Sequence, residues 1–247
     1  MTSLEAPSIS QVSPSCSAVD AYITTQLHSR HQDLNAVLDR AQATCRQHGL
    51  PDWGSIASQG KFIMLQLRIS GATNVLEIGT LGAQGSIWCA AARPDVQITT
   101  IEKVPEYAEV ARHNLIDAGI NDRVQVVVAD ANSALKQFRI EIEKGLRKRF
   151  EFVLIDLDDT MMVWEFMDQT AALCVPMACF VAHCAVRTSD LSLPAEHESN
   201  RRTKGSRILL EKLGKDPRFD AAVLMCVGEE PYDVLVASLL QNCSLNM

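Results

Sequence analysis

A short apolar run, Asn74 to Ile78, is followed at once by a glycine-rich turn (Gly79, Gly82, Gly85) and then by a helical pattern carrying Ile87, Trp88, Ala91 and Ala92. No other stretch of the chain constrains its fold so tightly. Strand, tight turn and helix in that order form the first half of a nucleotide-binding βαβ unit. The next apolar run, Ile98 to Ile101, ends at Glu102. A carboxylate at that point can accept both hydroxyls of a ribose.

The glycine spacing narrows the choice of nucleoside. A dinucleotide fingerprint reads GxGxxG and brings backbone amides close to an anionic pyrophosphate. Here the spacing is GxxGxxG, and Glu77 stands two residues before the first glycine. A carboxylate there repels phosphate and suits a ligand that has no phosphate and carries a positive centre. S-adenosylmethionine, with its ribose, sulfonium and ammonium, meets that description where NAD does not. The glycines alone would equally suit a turn in an unrelated α/β protein; Glu77 and Glu102 together favour the nucleoside.

With 247 residues, 47% of them hydrophobic, the chain can bury a proper core as one domain. A formal charge of −7 argues against a nucleic-acid surface, which needs clustered Lys and Arg. The one basic cluster, Lys144 to Arg149, reads as a solvated helix end. No apolar run approaches the ~20 residues of a membrane span, and the first residues lack the pattern of a secretory leader. Of the eight cysteines, Cys89, Cys174, Cys179, Cys184 and Cys226 fall in apolar segments and no CxxC pair occurs, so they read as reduced, hydrophobically packed thiols. The expectation is a cytoplasmic protein that meets a small-molecule substrate, without nucleic-acid or membrane partners.

Residues 1–18 are rich in Ser and Pro and read as a disordered tail. Residues 19–72 read as accessory helices: one from Val19 to His48, broken by Gly49-Leu-Pro51, and a second over about Ser58 to Ser70. Residues 73–247 form the core and share one structural domain with those helices. Strands are expected near 74–78, 97–101, 124–128, 151–156 and 178–183, with helices near 85–93, 105–118, 131–147, 161–173 and 204–214. Two last strands, about 220–226 and 233–239, flank a turn at Gly228-Glu-Glu-Pro231. This alternation implies a mostly parallel, Rossmann-like α/β sheet with helices on both faces and an antiparallel edge.

Ligands of such sheets bind beyond the carboxyl ends of the strands. Gly79, Glu102, Asp130 with Ala131, Asp156 and His183 lie there and should converge. Asp156 ends a continuous apolar run and should face the crevice, whereas Asp158 and Asp159 suit helix capping or solvation as well as function.

At these residues the chain, from about Val19 to Leu240, resembles the small S-adenosylmethionine-dependent O-methyltransferases of the caffeoyl-CoA and catechol type. The matching pieces are SQGKFI (58–63), ISGATNVLEIGT (69–80), ARHNLIDAGINDRVQVVVADA (111–131), FEFVLIDLD (150–158) and VGEEPYDVLVASLL (227–240). The resemblance implies a seven-stranded class I methyltransferase fold whose N-terminal helices build a homodimer. It also implies that Glu102 holds the cofactor ribose, that Asp130 and Ala131 meet the adenine, and that Asp156 lies near the methionine end. Gly79, Thr80, Gly85 and Ser86 would wrap the methionine itself, and Glu77 would join them in binding the cofactor.

The departures from that family are equally informative. It places an Asp at the end of strand four, a Lys three residues later and Asp-Asn at the end of strand five; the acids bind magnesium and the Lys helps deprotonate the acceptor. Here Asp156 remains, Asp159 takes the place of the Lys, and His183-Cys184 replaces Asp-Asn. Imidazole and thiol are poor magnesium ligands, so no metal is expected, although Asp156, His183 and Cys184 could suit a softer ion such as zinc. Gln84-Gly85-Ser86 also stands where the family reads Tyr-Ser-Thr.

A phenol must lose its proton to attack a methyl group, and without a metal a side chain must take it. His183 is the expected base by type and position, with Asp159 or Asp158 orienting it or acting in its stead. Met161, Met162, Trp164 and Phe166 either line a flat acceptor pocket or pack in the core. The long polar segment 184–203 reads as a substrate lid. The expected activity is O-methylation of a small hydroxylated, aromatic molecule without a divalent metal. The alternative is a methyltransferase-like protein that has lost methyl transfer and uses the cofactor structurally or serves as a binding partner. The sequence does not identify the acceptor.

Overall fold

The computed structural model describes residues 16–28, 31–51, 57–186, 200–225 and 234–240. Three helices come first: α1 (Cys16–His28), α2 (Gln32–Gln47) and α3 (Ala57–Ser70). Strand and helix then alternate through β1 (Asn74–Ile78), α4 (Gln84–Ala90), β2 (Gln97–Glu102), α5 (Pro105–Asp117), β3 (Val124–Val128), α6 (Ala131–Glu143) and β4 (Phe150–Asp156). The chain continues with α7 (Val163–Ala171), β5 (Cys174–Val186), α8 (Arg201–Leu213), β6 (Phe219–Met225) and β7 (Val234–Leu240). The strands lie in the order β3-β2-β1-β4-β5-β7-β6. The first five run parallel, and β7 runs antiparallel to both neighbours.

The central strand β4 explains why the core needs helices on both sides. Phe152 and Leu154 face one layer and Val153 and Ile155 the other, so the strand is apolar on both faces. One layer holds Leu135 and Phe138 of α6 with Phe166 and Met167 of α7. The opposite layer holds Ile63, Met64 and Leu67 of α3 with Ile87 and Trp88 of α4. The accessory helix α3 thus shares its core with the sheet. Gly60 permits this approach, because a Cβ there would collide with the Trp88 indole.

Several expectations need correction. The single helix expected from Val19 to His48 is two, α1 and α2. The apolar spacing carries across their junction, yet Tyr22 and Leu27 on α1 are exposed. Strand β5 starts at Cys174 rather than near 178; Pro176 and the left-handed Met177 (φ 66°) produce an irregular start that does not read as strand. Helix α6 stops at Glu143, before Gly145 (φ 70°). The basic cluster beyond it is not simply solvated. Arg147 turns back to stack on Phe138, 4.0 Å from the ring centroid, and bonds Glu141 at 2.7 Å. Arg149 donates to the Ala172 carbonyl at 2.6 Å. Cys89, Cys174 and Cys179 are in no disulfide and buried, as is Cys45, and burial pushes the Cys174 thiol up to about 12 and that of Cys179 to about 11. The tail over residues 1–15, most of the 184–203 segment, Cys226, the turn at Gly228–Pro231 and the Cys184 thiol lie outside the described residues. Among those described, no helix is long and apolar enough to cross a membrane.

Candidate active site

A cavity of about 510 Å³ opens beyond the carboxyl ends of β1, β2 and β4, where a doubly wound sheet places its ligands. Its first wall is the turn after β1. Gly79 has φ +97° and donates to the Ile101 carbonyl at 3.1 Å, and a Cβ there would strike the Asp156 backbone oxygen. Leu81 (φ 45°) and Ala83 (φ 64°) also hold left-handed backbone, which costs roughly 1–3 kcal/mol at each non-glycine residue. Glu102 fixes this strained turn. One carboxylate oxygen accepts from Leu81 N and the other from Val104 N, both at 2.9 Å. Each oxygen keeps a further lone pair, so the carboxylate can still accept two hydroxyls.

Of the residues singled out in the sequence, Gly79, Thr80, Gly85, Glu102, Asp130, Ala131, Asp156 and Asp159 line this cavity. Asp130 is also the N-cap of α6, accepting from Ser133 N at 3.3 Å. Thr80 shares a 2.6 Å hydrogen bond with Thr100 beneath the wall. Glu77 and Ser86 sit behind the wall instead. The Ser86 hydroxyl donates to the Glu77 carboxylate, which lies directly beneath Gly85; a Cβ on Gly85 would collide with it. Burial raises the Glu77 carboxyl from its ordinary 4.5 to about 7, against the hydrogen bonds of Ser86 and Thr100 and with some help from the charges of Asp156 and Glu102. Besides Asp158 and Asp159, which pair with arginines of α8, the wall carries Glu102, Asp130 and Asp156 against one basic residue, Lys103, and so favours a cationic ligand.

The proposed proton acceptors are placed differently from expectation. His183 is 2% exposed and stands one layer behind the cavity. Its Nδ1 meets Asp156 Oδ1 at 2.9 Å and its Nε2 meets the side-chain oxygen of Gln59. With both nitrogens engaged and the ring off the wall, His183 does not reach an acceptor directly. Asp156, with 27% of its side chain exposed, does face the cavity. Asp159 accepts from Met161 N at 3.2 Å and pairs with Arg201 at 2.9 Å; the Arg201 hydrogen bond holds its carboxyl below the usual range, which makes it a weaker base. Asp158 pairs with Arg202. Helix α8 thereby grips the loop after β4, and Thr160 Oγ1 adds a 2.8 Å bond to the Arg202 carbonyl.

The acceptor-pocket expectation divides. Met162 and Phe166 line the cavity, whereas Trp164 packs edge-on against Phe219 with ring centroids 6.1 Å apart. Sequence reasoning missed Gln42 and Cys45 of α2, Tyr107 of α5 and the buried Gln59. The first three close the cavity beside Leu81 and Gly82. Only Gln59 carried a signal, since it lies in the quoted SQGKFI segment.

The donor set does not suit magnesium. Asp156, which ends β4, is bound to an imidazole, and that imidazole is bound to an amide, where the ion needs several oxygens. Among the described residues no cluster of His, Cys, Asp and Glu is arranged to hold a metal. The residues do fit S-adenosylmethionine: paired ribose acceptors at Glu102, a cradle at Gly79 and Gly85, and an acidic wall for its positive charges.

Residues 28–229 match a family model described as O-methyltransferase. The chain is 32% identical over 228 residues to O-methyltransferase imqG of Aspergillus flavus, covering 92% of each protein. It is 33% identical over 227 residues to a catechol O-methyltransferase of Mycobacterium tuberculosis, covering 90% of this chain and 95% of that protein. The crystal structure of an O-methyltransferase from Bacillus cereus in complex with SAH superposes with a TM-score of 0.79 at 30% identity, covering 91% of this chain and 97% of that one.

Proposed function

The chain belongs to the O-methyltransferase family, and from that premise we propose that it methylates a hydroxyl of a small aromatic molecule, with S-adenosylmethionine as donor and a carboxylate rather than a metal receiving the proton. The observation that carries this reading is the position of Asp156, the one acid that both lines the cavity and is backed by a buried imidazole. When bound, S-adenosylmethionine would supply a sulfonium methyl to the acceptor oxygen, the oxygen–carbon bond forming as the carbon–sulfur bond breaks and S-adenosylhomocysteine leaves.

Glu102 binds the ribose hydroxyls, and Gly79, Thr80 and Gly85 line the methionine side. Asp130 and Ala131 would meet the adenine, and Met162 and Phe166 add apolar lining to the same cavity. Glu77 and Ser86 act from beneath, by charge and by holding the start of α4. Asp156 accepts the acceptor's proton as the oxygen–methyl bond forms, and His183 orients that carboxylate from behind. Asp159 and Asp158 hold α8 in place. Proximity and alignment supply much of the rate, since a well-oriented displacement needs little covalent help. Catechol, named for the mycobacterial relative, is the first acceptor to try.

Exposed Tyr22, Leu27, Leu65 and Ile69 on α1 and α3 support a homodimer through these helices, and four buried cysteines in no disulfide support a reducing, cytoplasmic setting. The test is a screen of phenols and catechols with methyl-labelled S-adenosylmethionine. Labelled methyl ether is the expected product. Tight cofactor binding with no acceptor methylated would favour the non-catalytic alternative.

A further inference from the structure

Behind Asp156 runs a row of three side chains that ends outside the sheet. Gln59, in the first turn of α3, is 1% exposed and sets its side-chain oxygen against His183 Nε2. His183, 2% exposed, sets Nδ1 against Asp156 Oδ1 at 2.9 Å, and Asp156 reaches the cavity. The amide's position is fixed from the next residue, because Gly60 lies flush against Trp88 and leaves α3 no room to shift toward α4.

This arrangement has a stability cost. The Gln59 amide nitrogen is buried with no hydrogen-bond partner, which typically costs ~1–3 kcal/mol. An apolar side chain of similar length would fill the same space without it. What the amide provides is a second anchor for the imidazole. A ring held only through Nδ1 can still tilt about that bond, and the carboxylate would turn with it; a ring held at both nitrogens cannot.

We propose that Gln59 is a positioning residue of the methyl-transfer site, acting through His183 to fix the Asp156 carboxylate in the orientation that receives the acceptor's hydroxyl. This rests on the reading that Asp156 takes the acceptor's proton. It makes the accessory helix α3 part of the reaction centre, although Gln59 and His183 are both off the cavity wall.

The test uses Gln59→Met, which keeps length and removes the hydrogen bond, with catechol as acceptor. The expected result is a fall in kcat of about 10-fold or more, with the Kd for S-adenosylmethionine changed by less than about twofold. In a His183→Phe background the same substitution should alter kcat by less than about twofold, because the link it breaks is already gone. Unchanged kcat in the single variant, or an equal further loss in the double variant, would overturn the proposal. A second readout needs no turnover: the 15N resonance of His183 Nε2 should move in Gln59→Met, and an unmoved resonance would overturn the link. Should Gln59→Met not fold, Gln59→Asn is measured in the same ways. If the unaltered protein methylates no acceptor, the functional reading fails, while the nitrogen resonance still decides whether Gln59 holds His183.

Discussion

Glu77→Gln tests the electrostatics beneath the cofactor wall. The Glu77 carboxyl is buried and raised from 4.5 to about 7, mainly by loss of hydration. The sign follows from linkage. A carboxyl whose folded-state pKa lies above its unfolded value holds its proton more tightly when folded. Its contribution to stability is therefore full below about pH 4.5, fades as the pH rises, and is gone above about 7. At ~1.4 kcal/mol per pH unit, the swing across that window is roughly 3 kcal/mol. Gln is neutral throughout and nearly isosteric, so the variant should lack this swing. Urea unfolding at a series of pH values should show the wild type losing roughly 3 kcal/mol relative to Glu77→Gln between pH 4.5 and 8. Parallel stability curves would refute the reasoning. The same variant has a binding readout. A cation in the cavity favours ionised Glu77, so wild-type affinity for S-adenosylmethionine should rise with pH through about 7, and that of the variant should not.

Other substitutions probe the remaining walls. Glu102→Ala removes both ribose acceptors and should weaken S-adenosylmethionine binding by ~1.5–3 kcal/mol in titration calorimetry; unchanged affinity would refute the ribose role. Gly79→Ala forces a Cβ into the Asp156 carbonyl at φ +97° and should destabilise the fold by about 2 kcal/mol or more, read as a lowered Tm. Arg147→Ala loses the stack on Phe138 and the bond to Glu141, and should cost ~1–2 kcal/mol in denaturant unfolding without altering cofactor affinity. No measurable loss would mean that the basic cluster is merely solvated.

The fold was legible where local chemistry and tertiary demand agree. The β1–turn–α4 unit is written in an apolar run, three glycines and a helical pattern, and Gly79 and Glu102 lie where that pattern puts them. The unbroken apolar run of β4 announced a strand covered on both faces, which also placed Asp156 at the crevice. What stayed hidden depends on side-chain partners far apart in sequence. The contact between Gln59 and His183 joins residues 124 positions apart and leaves no periodic trace. The pairing of Asp159 with Arg201 spans 42 positions, and no local pattern showed that this candidate base already has a partner. His183 was recognised by residue type, but type cannot say whether a ring nitrogen is already engaged. The start of β5 was missed because Pro176 and left-handed Met177 suppress the strand pattern at a true pairing site.

The proposal on which the function turns is that Asp156, backed by His183, takes the acceptor's proton without a divalent metal. Methyl transfer from S-adenosylmethionine to catechol, measured on protein freed of metal by EDTA and again with magnesium restored, tests it most directly. Equal rates in the two conditions are expected, with a sharp fall in Asp156→Asn in both. A rate abolished by EDTA and recovered with magnesium would contradict the account.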